Sequence, residues 1–346
     1  MTLWAVVLAG GVGSRFWPLS TPQRPKQLLP LVDDTPLLLG TLRRLRALVP
    51  TERTLVLTNK SLVAPIAELA SELPRNNLIA EPRPAGTAAA LAWAAREIER
   101  RDGPTAVMIC VHADWSIGNV PGFLDALRRA ADAAEARQGL VTVGIVPTRP
   151  DPGFGYIQPA DGGGPNDVRR VARFVEKPDR TRAEQMVREG YLWNSGIFVW
   201  RVGDFLDEIR ARTPEVAPAL ESSGDDAERF FSVVKPISVD VGVLERSDRV
   251  YVLGGDFGWD DVGTWAALRR VRSGDAAGNA ASGSYFGLDS QRNVVHADGG
   301  GSVVLYGVSD LVVVSRNGMT LVTTVERAAD LKTLIEALPA EMRDRP

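Results

Sequence analysis

The sequence predicts an α/β protein in which a mostly parallel sheet, covered by helices, is followed by a small β-rich domain with a terminal helix. Three observations carry that expectation. Strand-like and helix-like segments alternate through the first half of the 346 residues, the pattern of parallel strands joined by helical crossovers. The first apolar run, Trp4–Leu8, leads straight into a glycine-rich loop, which is where open α/β sheets place their ligands. After about Ser273 the chain turns to short β-type stretches separated by Gly, Asn, Asp and Ser.

Taken in order, the apolar runs predict strands over Trp4–Ala9, Thr54–Thr58, Asn77–Ala80, Ala106–Val111 and Leu140–Ile145. Helical periodicity fills the gaps over Leu37–Leu48, Leu62–Leu73, Thr87–Arg101 and Pro121–Arg137. Asp161–Gly164 reads as the turn of a hairpin between Tyr156–Gln158 and Val168–Glu176. A helix over Thr181–Glu189, a strand over Gly196–Val199 and helices between Val202 and Phe231 follow. The division falls at 273/274, giving a domain over 1–273 and a β-rich one over 274–346. The latter has strands at Val294–Val295, Ser302–Tyr306, Leu311–Ser315 and Thr320–Thr324. Their spacing suggests a short β-solenoid without a crisp repeat, and Glu326–Leu338 reads as an amphipathic helix.

Composition narrows the function. Apolar residues make up 45% of the chain, enough for a sizeable core, and the net charge of −3 argues against a general nucleic-acid surface. Cys110 is the single cysteine; set in an apolar run, it reads as a small buried hydrophobe. No apolar stretch reaches membrane-span length. The sequence opens on a strand with no basic leader segment. A cytoplasmic protein without a membrane or nucleic-acid partner is expected.

The loop Gly10-Gly-Val-Gly-Ser-Arg-Phe-Trp-Pro-Leu-Ser20 continues to Pro25-Lys-Gln27. Gly10, Gly11 and Gly13 let backbone N–H groups approach an anion closely. Arg15 supplies a planar fork and Lys26 a point charge. The glycine spacing is neither the dinucleotide fingerprint nor a Walker A loop. Asp114 follows a strand end, and the remote Phe257-Gly-Trp-Asp-Asp-Val-Gly-Thr-Trp265 brings Asp260 and Asp261. Phosphoryl chemistry needs a hard cation held by one or two carboxylates, a demand Asp114 and Asp261 meet; capping is the alternative use of these aspartates. Glu81, just ahead of a helix, offers a carboxylate acceptor, a solvent-facing glutamate being the alternative reading. Thr87 reads as a first-turn or capping residue. Glu176, Lys177 and Asn194 offer an acceptor, a cation and an amide, although a surface Glu–Lys pair is by itself worth little and Asn194 with Gly196 also reads as a turn. His112 reads as structural, and His296 as remote from chemistry.

With those residues in place, the segment from Gly10 to Lys26 resembles the signature of sugar-nucleotide pyrophosphorylases, G-G-x-G-x-R-x-x-P-L-S-x-x-x-P-K. The form with Trp17, Leu19-Ser20, Pro25-Lys-Gln27 and Trp259-Asp-Asp-Val-Gly263 is most similar to the mannose-1-phosphate guanylyltransferase branch. The resemblance implies a Rossmann-like nucleotidyltransferase fold with a partial β-helix that helps to form a homodimer. It implies the Mg²⁺-assisted reaction of GTP with mannose 1-phosphate to GDP-mannose and pyrophosphate. Carried over residue by residue, it makes Arg15 and Lys26 catalytic. Leu8, Gly10, Gly11, Gly13, Ser14, Glu81 and Thr87 become nucleotide contacts. Gly155, Tyr156, Glu176, Lys177 and Asn194 become sugar-phosphate contacts, and Asp114 and Asp261 metal ligands. Two departures stand out: Val111-His-Ala-Asp-Trp115 replaces the usual Pro-x-Asp-His, and Ala85-Gly-Thr-Ala88 replaces Arg-Asn-Thr-Ala. Another hexose-1-phosphate nucleotidyltransferase, uridylyl or thymidylyl, and a non-catalytic nucleotide-sensing relative are the competing readings. The isomerase activity of the longer family form is not expected.

Overall fold

The computed structural model describes residues 1–11, 13–164 and 167–343, with the side chain of Ser14 outside that description. The strands are β1 (Leu3–Leu8), β2 (Thr54–Asn59), β3 (Leu78–Glu81), β4 (Val107–His112), β5 (Ser116–Ile117), β6 (Leu140–Ile145), β7 (Tyr156–Pro159), β8 (Arg169–Val175), β9 (Leu192–Arg201), β10 (Val250–Gly255) and β11 (Trp259–Asp260). Nine of them form one sheet in the order β3-β2-β1-β4-β9-β6-β10-β8-β7. Pairings β1–β2, β1–β4, β2–β3 and β6–β10 are parallel, and those made by β8 and β9 are antiparallel. The expected mostly parallel sheet is therefore present, with two strands reversed.

Contacts divide the chain into two compact units. The first comprises Met1–Gly10, Leu42–Ala113 and Asn119–Trp259 and holds the whole nine-stranded sheet. Its β1, β2, β4 and β6 are buried almost throughout, as strands covered on both faces must be. The helix Gly86–Asp102 lies against them on a run of alanines, Ala88–Ala90 and Ala92 with Ala94 and Ala95, all buried. Small side chains of high helix propensity allow close packing. That helix begins at Gly86 with φ +81°, where a Cβ would collide with the Ile237 carbonyl, so glycine is required there. It stops at Gly103, also at positive φ, whose N–H returns to Glu99 O. The helix Val120–Arg137 is capped by Asn119, whose side chain accepts from Gly122 N–H at 3.0 Å.

The second unit comprises Gly11–Thr41, Asp114–Gly118 and Asp260–Pro346. It contains β12 (Ala280–Ser282), β13 (Ser284–Leu288), β14 (Val294–Ala297), β15 (Ser302–Tyr306), β16 (Leu311–Arg316) and β17 (Met319–Thr324). Parallel ladders β12-β14-β16 and β13-β15 stack as coils of a short β-helix, and antiparallel β17 ends the first ladder. Asn279 and Asn293 stitch successive coils: Asn293 Nδ2 donates to Asn279 Oδ1 at 2.9 Å, and Leu311 N–H donates to Asn293 Oδ1 at 2.9 Å. The terminal helical piece is a 3-10 turn, Arg327–Asp330, followed by the helix Leu331–Ala337.

From Gly11 onward the glycine-rich loop belongs to this second unit. Phe16, Trp17, Leu19, Leu29 and Leu31 share one core with Trp265, Val294, Val312, Val314 and Leu331. Loop carbonyls are held by side chains from far along the chain. Trp265 Nε1 donates to Trp17 O at 3.2 Å, Arg316 to Leu19 O at 2.8 Å and Arg272 Nε to Leu31 O at 2.6 Å. The compact units thus interleave along the sequence, whereas the division at 273/274 is continuous. No helix among the described residues is long and apolar enough to cross a membrane.

Candidate functional site

The predicted catalytic lysine is built into place from its own loop. Pro25, extended at φ −70°, starts the short 3-10 turn Lys26–Leu28. Gly13, at φ +63°, packs so tightly on Lys26 that a Cβ would overlap the lysine Cβ. The buried Lys26 ammonium donates to Asp114 Oδ2 at 2.9 Å and to the main-chain oxygen of Asp261 at 2.6 Å. One cation therefore gathers both predicted metal ligands. Arg15 is exposed and its guanidinium reaches Gly263 O at 3.4 Å, so the two predicted catalytic cations and the acidic segment lie together.

The Asp261 carboxyl is driven up by burial, with Lys26 pulling it down and Asp260 adding to the rise. Asp260 is not free to share this role. Arg270 grips it bidentately at 2.7 and 3.1 Å, and its Oδ1 accepts from Val262 N–H. Val262, fully buried, stands at φ +46°, a region costly for a β-branched residue. Gly263 follows, with no room for a Cβ beside Asp261 Oδ2. The segment Asp260–Gly263 is thus bent so that the Asp261 carbonyl meets the Lys26 ammonium while its carboxylate lies against the backbone of Gly263, within the field of the lysine.

In the first unit, Glu81 ends β3, and a Cβ on Gly10 would stand 3.9 Å from its Oε1. Burial alone pushes the Glu81 carboxyl up to about 7, and no cation answers it among the described residues. Leu8 is buried in the core, and its carbonyl accepts from Ala113 N–H. Gly11 has open space around it. The side chain of Ser14 lies outside the described residues. Thr87 sits in the first turn of its helix and does not cap it; Ala85 holds the cap position, and Thr87 Oγ1 accepts from Val239 N–H at 2.9 Å.

The sugar-side residues converge on Gly155. A Cβ there would come within 2.6 Å of Glu176 Oε2 and 3.5 Å of Asn194 Cβ, and Asn194 N–H donates to Gly155 O. Glu176 pairs with Lys177 at 2.8 Å, both half-exposed, and Lys177 takes φ +43°. Tyr156 does not join them through its side chain. The ring is fully buried, and its hydroxyl is spent on the backbone of Asp151 as both acceptor and donor. Asn194 lies beside a β-bulge, where the β6–β9 register slips at Val143/Gly144. Its Nδ2 donates to Asp240 Oδ1 at 2.7 Å. Asp240 is the functional candidate that sequence reasoning missed, because no motif or spacing marks it; only the fold brings it to Asn194. Cys110 is fully buried, as expected. His296 is buried against Arg272, far below its ordinary pKa at about 4, through burial and then that guanidinium.

Known proteins resemble this chain along nearly its whole length. The family model described as Nucleotidyl transferase matches residues 4–278, and that of the MannoseP isomerase/GMP-like beta-helix domain matches residues 283–338. The mannose-1-phosphate guanylyltransferase of Klebsiella pneumoniae is 38% identical over 99% of this chain and 75% of its own length. That of Escherichia coli is 37% identical with the same coverage. A solved structure from Thermus thermophilus, described as a mannose-1-phosphate geranyltransferase, shares 35% identity at a TM-score of 0.89. It covers 97% of this chain and 99% of its own. A signature loop with its lysine on two aspartates, a nucleotidyl transferase domain and a β-helix appendage, matched over nearly the whole length, place this chain in the mannose-1-phosphate guanylyltransferase family.

Proposed function

We propose that the protein joins GTP and mannose 1-phosphate to give GDP-mannose and pyrophosphate, working as a homodimer. An oxygen of the sugar phosphate forms a bond to the α-phosphorus of GTP. The bond from that phosphorus to the β-phosphate oxygen breaks, and pyrophosphate leaves with the electron pair. No protein nucleophile is needed; positioning and charge stabilisation carry the reaction.

The observation that carries this reading is the Lys26 ammonium held by Asp114 and the Asp261 carbonyl. Lys26 and Arg15 balance negative charge on the α-phosphate and leaving group. Asp114 and Asp261 would hold Mg²⁺. The donor set fits: the Lys26 ammonium sits on the Asp114 carboxylate and the Asp261 carbonyl, which brings both aspartates to one place, and Mg²⁺ takes one or two carboxylates and completes its shell with phosphates and water. No group of three or more His, Cys, Asp or Glu able to cage a metal occurs among the described residues. When bound, Mg²⁺ supplies a Lewis acid that offsets charge on the phosphates. Ionised Glu81 accepts from guanine N1–H and N2–H₂, a donor pair adenine lacks. Its isolation from any cation supports that assignment, because a buried carboxylate without a partner is costly. Glu176, Lys177 and Asn194 hold the hexose phosphate.

The deciding experiment crosses four nucleoside triphosphates with mannose, glucose and galactose 1-phosphates and follows pyrophosphate release. GTP with mannose 1-phosphate should exceed every other pair in kcat/KM. A preference for UTP or dTTP with glucose 1-phosphate would transfer the protein to the other nucleotidyltransferase branch, and no pyrophosphate with any pair would leave a non-catalytic sensor.

A further inference from the structure

We propose that Asp240 sets hexose specificity by accepting hydrogen bonds from sugar hydroxyls while fixing the Asn194 amide; this rests on the reading of Gly155, Glu176 and Asn194 as the sugar side. Asp240 opens a π-helical turn, Asp240–Leu244, a rare form that is frequent at functional sites. Its carboxylate is largely buried. Asn194 Nδ2 holds one oxygen at 2.7 Å. Its charged neighbours include Glu176 and Glu245, which repel it, and His112, which attracts it; neither an arginine nor a lysine compensates it among the described residues. A carboxylate withdrawn from water beside a second carboxylate, with an amide, one backbone N–H and a histidine rather than a full cation to answer it, is costly to keep charged. Fold stability gives no reason for it, since the turn that follows is closed by backbone bonds such as Gly242 N–H to Ser238 O and Glu245 N–H to Asp240 O.

The cost is explained if hydroxyl donors arrive. Asn194 is itself committed: Nδ2 donates to Asp240, and Oδ1 accepts from Gly196 N–H at 3.3 Å. Its orientation is therefore fixed before any sugar binds, with one N–H left over. Glu176 and Asp240 supply acceptors and Asn194 a donor, and Gly155 leaves the space among them. That pattern matches neighbouring hydroxyls of a pyranose, each of which donates once and accepts. Sites built to hydrogen-bond a hydroxyl reject analogues lacking it far more strongly than apolar pockets reject a missing methylene.

The test measures kcat and KM for mannose 1-phosphate and its 2-, 3-, 4- and 6-monodeoxy analogues, in the wild type, Asp240→Asn and Asn194→Ala. Asp240→Asn keeps the shape and an acceptor for Asn194 but removes the charge. It should raise KM for the sugar phosphate about tenfold or more while KM for GTP stays within about twofold. At least one deoxy analogue penalised about tenfold in the wild type should lose that penalty in Asp240→Asn, as coupling in a double-mutant cycle requires. Unchanged deoxy penalties, or parallel changes in both KM values, would overturn the assignment and leave Asp240 structural. If Asp240→Asn does not fold, the wild-type series decides alone: no analogue penalised tenfold means no hydroxyl reader. If the wild type ignores mannose 1-phosphate but uses another hexose 1-phosphate, the substrate reading fails, and the same cycle is run on that sugar. A wild type that turns over no hexose 1-phosphate overturns both.

Discussion

Lys26 illustrates how much one side chain is asked to do. Its buried ammonium is paired with the partly exposed Asp114 carboxylate and fixed by the Asp261 carbonyl. Lys26→Ala should lower kcat by ~10²–10³, the scale for losing one preorganised charge contact, with an unchanged far-ultraviolet circular dichroism spectrum. Near-normal turnover would remove the lysine from the mechanism. Asp114→Asn and Asp261→Asn should each raise the Mg²⁺ concentration needed for half-maximal activity, read from a metal titration of turnover; two unchanged curves would show that neither aspartate is a ligand. Glu81 gives a pH signature. Its carboxyl is pushed up to about 7 because burial disfavours the charge, and in the proposed role only the ionised form can accept from both guanine donors at once. KM for GTP should therefore fall as pH rises from 6 to 8, and Glu81→Gln should flatten that dependence. Stability moves the opposite way. The raised folded-state pKa stabilises the protein fully below the ordinary glutamate pKa, and that contribution is lost as pH rises through about 7. Thermal scans should show Glu81→Gln gaining on the wild type across that window.

At the scale of elements, the signature loop is held by residues that follow it by more than two hundred positions. Arg272 is the deepest tether. Its guanidinium, lowered to about 10 by burial, donates to Leu31 O and Val295 O. Arg272→Leu leaves those carbonyls unpaired and should cost about 1–3 kcal/mol per orphaned group. Urea unfolding should show that loss, and kcat should fall with it because the tether ends five residues beyond Lys26. Unchanged stability would mean that water replaces the guanidinium. None of this is legible in the sequence, where Arg272 is one of many arginines. The strands are easier: runs such as Leu140–Ile145 are buried on both faces and read as apolar in one dimension. The sequence starts β9 too late, at Gly196, since Asn194-Ser-Gly196 carries turn chemistry. Gly196 does take φ +73°, but within a bulge that the ladder absorbs. The strand β10 and the first coils, β12 and β13, escape sequence reading, because three- to six-residue pieces flanked by glycines give little period to detect. At the site, residues with chemical identity are legible. Those defined by burial or backbone strain, Asp240 and Val262, are not, because three-dimensional packing creates their character.

For the whole molecule, the β-helix poses a question of assembly. Its inner faces are filled by Val295, Val303, Leu305 and Val313. The outer face of the β13–β15 ladder is apolar too. The register sets Phe286 opposite Val304 and Leu288 opposite Tyr306, and each of the four is more than half exposed. Parallel strands with free backbone edges and a continuous apolar face seek cover. A second copy presents the same surface, and closed twofold pairing is the commonest way to satisfy it. Val304→Lys with Tyr306→Glu should therefore convert a dimer into a monomer by light scattering after size exclusion, since charged residues at the centre of such a patch cannot be buried cheaply. The single substitutions should weaken the dimer by intermediate amounts. Because the altered side chains lie outside both cores of the second unit, thermal unfolding of the monomer should remain cooperative. A wild type that is monomeric, or a double variant that stays dimeric, would show that this face is not where two chains meet.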